Sequence, residues 1–135
     1  MIRSFIHLAM AATFLLAPGL ASASESKPTV QVRASKLATP EKIQEIQTRV
    51  GYVSTLKIQD ANGVSCPLSS ATVGDVAYDV SVGGKGLLHI TPKSRVENTN
   101  LNVVSLDGEK VYTFILVADS DTVDAQVVIV ADCAN

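Results

Sequence analysis

The chain has 135 residues, of which 11 are basic and 13 acidic, for a formal net charge of −2. This length accommodates one domain with a modest hydrophobic core. The lysines and arginines are scattered along the chain, which argues against a nucleic-acid partner because phosphate binding needs a clustered positive surface.

The first 23 residues have the pattern of a secretory signal peptide. Arg3 provides a positive start, residues 5–16 form an apolar run, and small residues at 21–23 suit a cleavage site before Ser24. The apolar run is shorter than the ~20 residues of a membrane-spanning helix, which disfavours an uncleaved anchor. The pattern also lacks a cysteine for lipid attachment, so we expect a soluble product, periplasmic or secreted, with no membrane span of its own.

The predicted mature chain divides into a tether and one domain. Residues 24–38 are polar and mixed, which is typical of a tether that contributes at most one short strand at residues 29–33. Residues 39–135 are expected to hold one short helix followed by a β-domain.

The expected helix covers residues 40–49. Residues 39–41, Thr-Pro-Glu, are typical of a helix start. The threonine hydroxyl can cap the first turn, proline at the first helical position needs no amide hydrogen, and glutamate is favoured near the positive end of the helix dipole. Ile43, Ile46 and Val50 follow at helical spacing, which predicts one apolar face. The alternative is an exposed, frayed turn.

From residue 51 onward the hydrophobic pattern has a period of two. Together with turn residues about every eight to twelve positions, it predicts an antiparallel β-sandwich of about six to seven strands. Turns are expected at residues 60–63 and 107–108, and Pro67 confines its strand to a sheet edge. The last two strands are nearly continuous apolar runs, which predicts interior positions in a sheet. The predicted strands are residues 52–59, 64–68, 76–82, 87–91, 101–105, 110–118 and 125–130.

The chain contains two cysteines, Cys66 and Cys133. In an oxidising compartment their natural state is a single disulfide, worth about 3 to 4 kcal/mol through closure of a long loop. The alternative is two separate thiols, because Cys133 lies in a tail.

The residues offer little reactive chemistry, and no catalytic, cofactor or metal site is predicted. His89 is the only histidine outside the signal peptide and is expected on the surface. Residues 83–86, Gly-Gly-Lys-Gly, precede a strand, whereas a phosphate loop precedes a helix, so they indicate a flexible turn. Asp119, Asp121 and Asp124 lack the spacing of a calcium loop and are expected at a solvated hairpin tip. The sequence therefore predicts a protein that is not an enzyme.

Residues 50–63 read Val-Gly-Tyr-Val-Ser-Thr-Leu-Lys-Ile-Gln-Asp-Ala-Asn-Gly, and Pro67-Leu68 follow. This segment resembles the start of the C-terminal β-domain in the DotH/IcmK family. Members of that family, like the conjugation proteins TraN and TraK, are outer-membrane core subunits of type IV secretion and conjugal transfer systems. The similarity continues through residues 87–91, 101–105 and 111–119. One departure is Cys66, where family members tend to have tryptophan before the proline.

The resemblance implies a non-enzymatic structural subunit in a large oligomer, located in the periplasm and held at the outer membrane by other core subunits, including lipoproteins. Apolar strands need cover, and pairing at sheet edges is a known mode of protein recognition. The alternative is a free periplasmic binding or adhesion module that uses loops 83–86 and 119–122.

Overall fold

The computed structural model describes residues 27–36, 43–94 and 97–133. Within these residues the protein is all-β, as predicted, with nine strands and no helix. The expected signal peptide lies outside the described residues. The strands are β1 Thr29–Lys36, β2 Gln44–Gln47, β3 Ser54–Gln59, β4 Leu68–Val73, β5 Tyr78–Val82, β6 Leu87–Pro92, β7 Thr99–Ser105, β8 Val111–Val117 and β9 Thr122–Val130.

The strands form two mixed sheets. The first sheet has the order β1-β9-β3-β6-β5, and the second has the order β2-β8-β7-β4. Strand β9 runs parallel to both of its neighbours, and β2 runs parallel to β8, whereas the other pairs are antiparallel. The expectation of six to seven purely antiparallel strands is therefore wrong, because β1 and β2 are added as parallel sheet edges and β3 also runs parallel to β9. The strand expected at residues 64–68 is also wrong, since Ser65 forms only an isolated bridge with Gln59 and β4 begins at Leu68.

The expected helix at residues 40–49 is the clearest correction. The described part of this segment contains β2, which pairs with β8 in the register Gln44↔Phe114 to Gln47↔Val117. Ile46 faces the core and is 1% exposed, while Ile43 is 58% exposed, so the two do not share one buried face. Backbone hydrogen bonds offered by the edge of β8 outweigh the local helix signals, which are worth about 1 kcal/mol each. The start of the predicted helix, residues 39–42, lies outside the described residues.

The segment expected to be a tether contains β1. This strand has eight residues and pairs with β9 along its whole length, with a register shift between Gln31 and Val32. The short strand predicted at residues 29–33 is thus part of a longer one.

The core lies between the two sheets and is built by residues that alternate along each strand. In β3, Leu56 and Ile58 point inward, and in β8 Tyr112, Phe114 and Leu116 do so. As predicted, β8 and β9 lie in sheet interiors. The other fully buried core side chains are Ile46, Leu88, Ile90, Leu101, Val103, Val127 and Ile129.

Two turns reverse the chain as predicted, whereas a third connection passes from one sheet to the other. The turn at residues 107–108 closes the β7–β8 hairpin, with the Ser105 amide donating to the Lys110 carbonyl at 2.9 Å. The turn at residues 60–63 also reverses the chain, because the Asp60 amide donates to the Val64 carbonyl at 2.8 Å. Residues 118–121, in contrast, link β8 in the second sheet to β9 in the first, so the hairpin expected there is absent.

Candidate functional site

The structure joins Cys66 and Cys133 in a disulfide, with 5.7 Å between their Cα atoms. Cys66 lies in the connection between β3 and β4, and Cys133 follows β9. The bond therefore ties the segment after β9, the last strand, to the connection in which the chain passes from the first sheet to the second. We call this part of the molecule the disulfide end.

His89 lies on the exposed face of β6, opposite Thr55 of β3. The His89 ring nitrogen Nδ1 and the Thr55 hydroxyl form a hydrogen bond of 3.2 Å. Across the described segments, no three His, Cys, Asp or Glu side chains converge on a position where they could hold a metal ion.

The loop at residues 83–86 is more closely fitted than a flexible turn. Gly86 is buried and has a φ of 69°, and a Cβ atom there would lie 2.6 Å from the Cys66 carbonyl and 2.8 Å from the Ile58 carbonyl. The Ile58 amide also donates to the Gly86 carbonyl at 3.1 Å. Only glycine suits this position, so one end of the loop is fastened to the disulfide end while Lys85 stays exposed.

The three aspartates around the β8–β9 connection do not form a cluster. The Asp121 side chain is fully exposed and lies 4.0 Å from Arg49, and Asp119 is exposed with a φ of 48°. Asp124, however, is completely buried in β9. The expectation that all three lie at a solvated hairpin tip is wrong, because Asp124 points between the sheets.

Asp124 accepts four hydrogen bonds that hold β1 and β2 against β9. Arg33 of β1 donates through Nε and Nη2, each at 2.9 Å, and Gln31 donates through Nε2 at 2.6 Å. The Gln47 backbone amide at the end of β2 donates at 2.8 Å. Arg33 Nη2 also donates to the Glu45 carbonyl, so the guanidinium spans both edge strands.

Burial by itself raises the pKa of Asp124. The hydrogen bonds from Arg33, the Gln47 amide and Gln31, together with the positive charge of Arg33, outweigh this effect and leave the pKa below its usual value. Asp124 is therefore an ionised, fully buried carboxylate. The sequence contained one signal for it, a charged residue inside an otherwise apolar strand, since such a residue is almost always paired when buried.

The four edge strands differ in how well they are protected against pairing with another strand. On the second sheet, β2 has only four residues, and β4 contains a register shift between Leu68 and Ser70. On the first sheet, β5 has five residues and carries Asp79, which pairs with Lys93 at 3.6 Å. Short strands, irregular register and charges are the usual means by which edges avoid unwanted pairing.

Strand β1 has the longest edge of the four, although it too contains a register shift, between Gln31 and Val32. Its eight residues pair with β9 on one side, and no described strand pairs with the other side. Val30 and Val32 point away from the core, and Val32 is 69% exposed. Because the Asp124 network fixes β1 in place, this apolar edge is presented in a defined position.

Comparison with known proteins assigns the chain to a family. The described residues contain no helix long and apolar enough to cross a membrane. No curated protein matches the chain at a significant level. A model of the DotH/IcmK family, whose description is "Putative outer membrane core complex of type IVb secretion", matches residues 15–132. Because the match covers most of the chain, this protein belongs to the DotH/IcmK family.

Proposed function

We propose that this protein is a non-enzymatic structural subunit of the outer-membrane core complex of a type IV secretion or conjugal transfer system. It acts by protein–protein assembly within a large oligomer. Membership of the DotH/IcmK family supports this role, since the family description names such a complex.

The open edge of β1 is the observation that carries the proposal. An edge strand presents unpaired backbone amides and carbonyls along its free side, and these groups can bind a strand of another subunit. In a periplasmic monomer such an edge, flanked by exposed Val30 and Val32, would invite uncontrolled pairing. In an assembly the same edge becomes a contact surface.

The proposal includes a location and a set of partners. Export by the signal peptide expected at residues 1–23 would deliver the protein to the periplasm. Other core subunits, including lipoproteins, would then hold it at the outer membrane. The oxidising periplasm would also suit the Cys66–Cys133 bond.

Envelope fractionation of the native host, with mild crosslinking, tests the proposal. The protein should migrate with large outer-membrane assemblies. Replacing Val32 with lysine should release it into the soluble periplasmic fraction, because a charge beside the β1 edge opposes strand pairing. The matched control is Val76→Lys, at a valine that is 93% exposed in the β4–β5 connection, and it should leave the distribution unchanged.

Recovery of the wild-type protein only as a free periplasmic monomer would contradict assembly. In that case the free binding or adhesion module would be favoured, and substitutions in loops 83–86 or 119–122 should abolish ligand capture while the fold survives.

A further inference from the structure

In β1, the backbone groups of every second residue point away from β9. The Thr29 amide donates to the Asp121 carbonyl at 2.9 Å, so it points toward the neighbouring strand. Backbone amides and carbonyls alternate between the two sides of a strand that pairs in parallel. Those of Val30, Val32 and Ala34 therefore lie along the free edge, where no strand of the described residues binds them.

This alternation is unbroken along β1. The register shift arises because Gln31 lies opposite Asp124 while the next residue, Val32, lies opposite Gln126. The additional residue is therefore Ala125, which belongs to β9, and the bulge lies in that strand. The free edge of β1 keeps the regular spacing that pairing with a further strand requires.

The side chains beside this edge form a small apolar face. Val30 is 54% exposed, Val32 is 69% exposed and Ala34 is also exposed. Gln31 and Arg33 lie between them, are half-buried and donate to the buried carboxylate of β9. An apolar face next to unpaired backbone groups favours another strand as the occupant of the edge.

The residue pattern of β1 is self-complementary. In an antiparallel pair centred on Val32, Val30 of one copy lies opposite Ala34 of the other, and the two Val32 side chains lie opposite each other. Gln31 then lies opposite Arg33, so apolar residues face apolar ones and polar residues face polar ones. The residues in the apolar pairs are also those whose amides and carbonyls lie along the free edge, so the two strands can exchange hydrogen bonds at these positions.

Charge also favours this register. The Arg33 guanidinium of each copy is already paired with its own Asp124 at 2.9 Å, and it faces Gln31 of the other copy instead of a second cation. A pair centred on Arg33 would bring two guanidinium groups opposite each other, which is destabilising. A pair centred on Gln31 would set Ala34 opposite Pro28, which has no amide hydrogen to donate.

The other edge strands of the described residues match β1 less well. Strand β1 has eight residues, whereas β2 has four and β5 has five, so either would leave part of the edge uncovered. Strand β4 has six residues and a shifted register at its start. A second β1 has both the length of the edge and a pattern that complements it.

We propose that β1 binds β1 of a second copy of this chain, antiparallel and with Val32 on the two-fold axis, which joins the two five-stranded sheets into one. This inference deepens the proposed function, since it rests on assembly through β1 and identifies the partner as a second copy. One strand on each side buries less area than a typical stable interface, so the pair forms reversibly and is favoured by the high local concentration within an assembly.

Cysteine crosslinking of the protein, exported and purified from a periplasm, tests the centre of the pair. Residues opposite each other in a hydrogen-bonded antiparallel pair have Cα atoms about 5.5 Å apart, which suits a disulfide. Val32→Cys should therefore give several-fold more disulfide-linked dimer under mild oxidation than Val76→Cys, at a valine that is 93% exposed in the β4–β5 connection. Mass spectrometry of the digested dimer should place the link at position 32 of both copies, with the Cys66–Cys133 bond intact.

Two further single variants test the strand direction. Val30→Cys and Ala34→Cys should each form little dimer alone, because in the antiparallel pair each position lies roughly 13 Å along the strand from its counterpart. An equimolar mixture of the two should give a mixed dimer, since Val30 lies opposite Ala34. A parallel pair would instead link each variant to itself, which would overturn the two-fold arrangement.

Sedimentation velocity measures the reversible association. The dimer fraction of the wild type should rise with concentration, and Val32→Lys should raise the dissociation constant about tenfold, because two ammonium groups would replace a contact between valines. Val76→Lys should leave the constant unchanged. An equimolar mixture of Val32→Lys and Val32→Glu should recover association, since position 32 of one copy faces position 32 of the other.

Three results would overturn the inference. These are a wild type that stays monomeric at every concentration, no more dimer from Val32→Cys than from Val76→Cys, or a Lys–Glu mixture that stays monomeric. The measurements use the purified protein alone, so they do not depend on assembly at the outer membrane. A two-fold pair without co-fractionation would refute the proposed function only, and co-fractionation without the crosslink at position 32 would refute the second copy as partner only.

Discussion

Replacing Asp124 with alanine should detach the two N-terminal strands from the rest of the fold. The Asp124 carboxylate receives hydrogen bonds from Gln31 and Arg33 of β1 and from the Gln47 amide at the end of β2. Alanine removes all of these acceptors together and leaves the Arg33 guanidinium beside a vacated buried site. We therefore expect a loss of stability that is concentrated in β1 and β2.

The expected magnitude follows from the burial of the two charges. Removing one partner of a buried ion pair costs about 3–5 kcal/mol. Asp124 is fully buried, but the Arg33 side chain is 32% exposed and can partly regain water. We expect a decrease of about 2–4 kcal/mol in the free energy of unfolding, a large part of a typical domain's stability.

Urea denaturation and native-state hydrogen exchange measure this effect. The urea midpoint of Asp124→Ala should fall, and the β1 amides should exchange much faster than in the wild type. The matched control is Asp121→Ala, three residues earlier, whose side chain is fully exposed and should not affect the midpoint. Equal midpoints for the two variants, or unchanged exchange in β1, would show that the Asp124 network does not hold the strand.

The same network predicts a pH dependence. The folded-state pKa of Asp124 lies below its unfolded value, so its contribution is complete above the unfolded pKa and is lost as pH falls through the folded pKa. Wild-type stability should therefore decline in acid more steeply than that of Asp124→Asn, which has no carboxyl to protonate at this position. Parallel pH profiles for the two proteins would refute this assignment.

Three further predictions concern other parts of the fold. Gly86→Ala should destabilise the protein by about 2–3 kcal/mol, because the backbone has a positive φ there and the added Cβ atom would lie under 3 Å from two carbonyl oxygens. In the same thermal unfolding assay Gly84→Ala should be nearly neutral, since its Cβ atom would meet no atom within 4 Å. Ile46→Ala should lower the free energy of unfolding in urea by about 2–4 kcal/mol, whereas Ile43→Ala, at an exposed position, should lower it by less than about 0.5 kcal/mol. Similar losses for the two variants would favour the helix expected at residues 40–49 over strand β2. Thiol labelling of the denatured, unreduced protein should find both cysteines blocked, and strong labelling would exclude the disulfide. Because the bond closes a loop with a sequence separation of 67, removing it should lower the free energy of unfolding by about 4 kcal/mol.

The strands after residue 51 were largely predictable because their signals are local. Alternation in β3, for example, places Leu56 and Ile58 on one face whatever the partner strand. Turn chemistry is local as well, and Gly63 and Gly108 adopt the positive φ values of 81° and 76° that tight turns require. The family resemblance found in residues 50–63 also agrees with the match over residues 15–132.

The N-terminal strands were not predictable in the same way. Ile43, Ile46 and Val50 fit helical spacing, yet the segment also contains a short strand that becomes stable only beside β8, which lies about 70 positions away in the chain. Similarly, the sequence around Asp124 indicates a loop aspartate. Its partner Arg33 lies in β1, at a sequence separation of 91, and contacts it only in the folded protein. Leu106 and Tyr112 likewise line one pocket beside the Cys66–Cys133 bond only after the strands pack.

The sequence alone determined the all-β class, the inward faces of the later strands, the two tight turns and the family. Side-chain periodicity and backbone dihedral preferences act over a few residues, so they do not depend on distant contacts. Only the tertiary structure decided the parallel edges β1 and β2, the buried carboxylate that holds them and the pocket at the disulfide end. These features arise from hydrogen bonds and burial between distant segments, and such contacts exist only once the two sheets have come together.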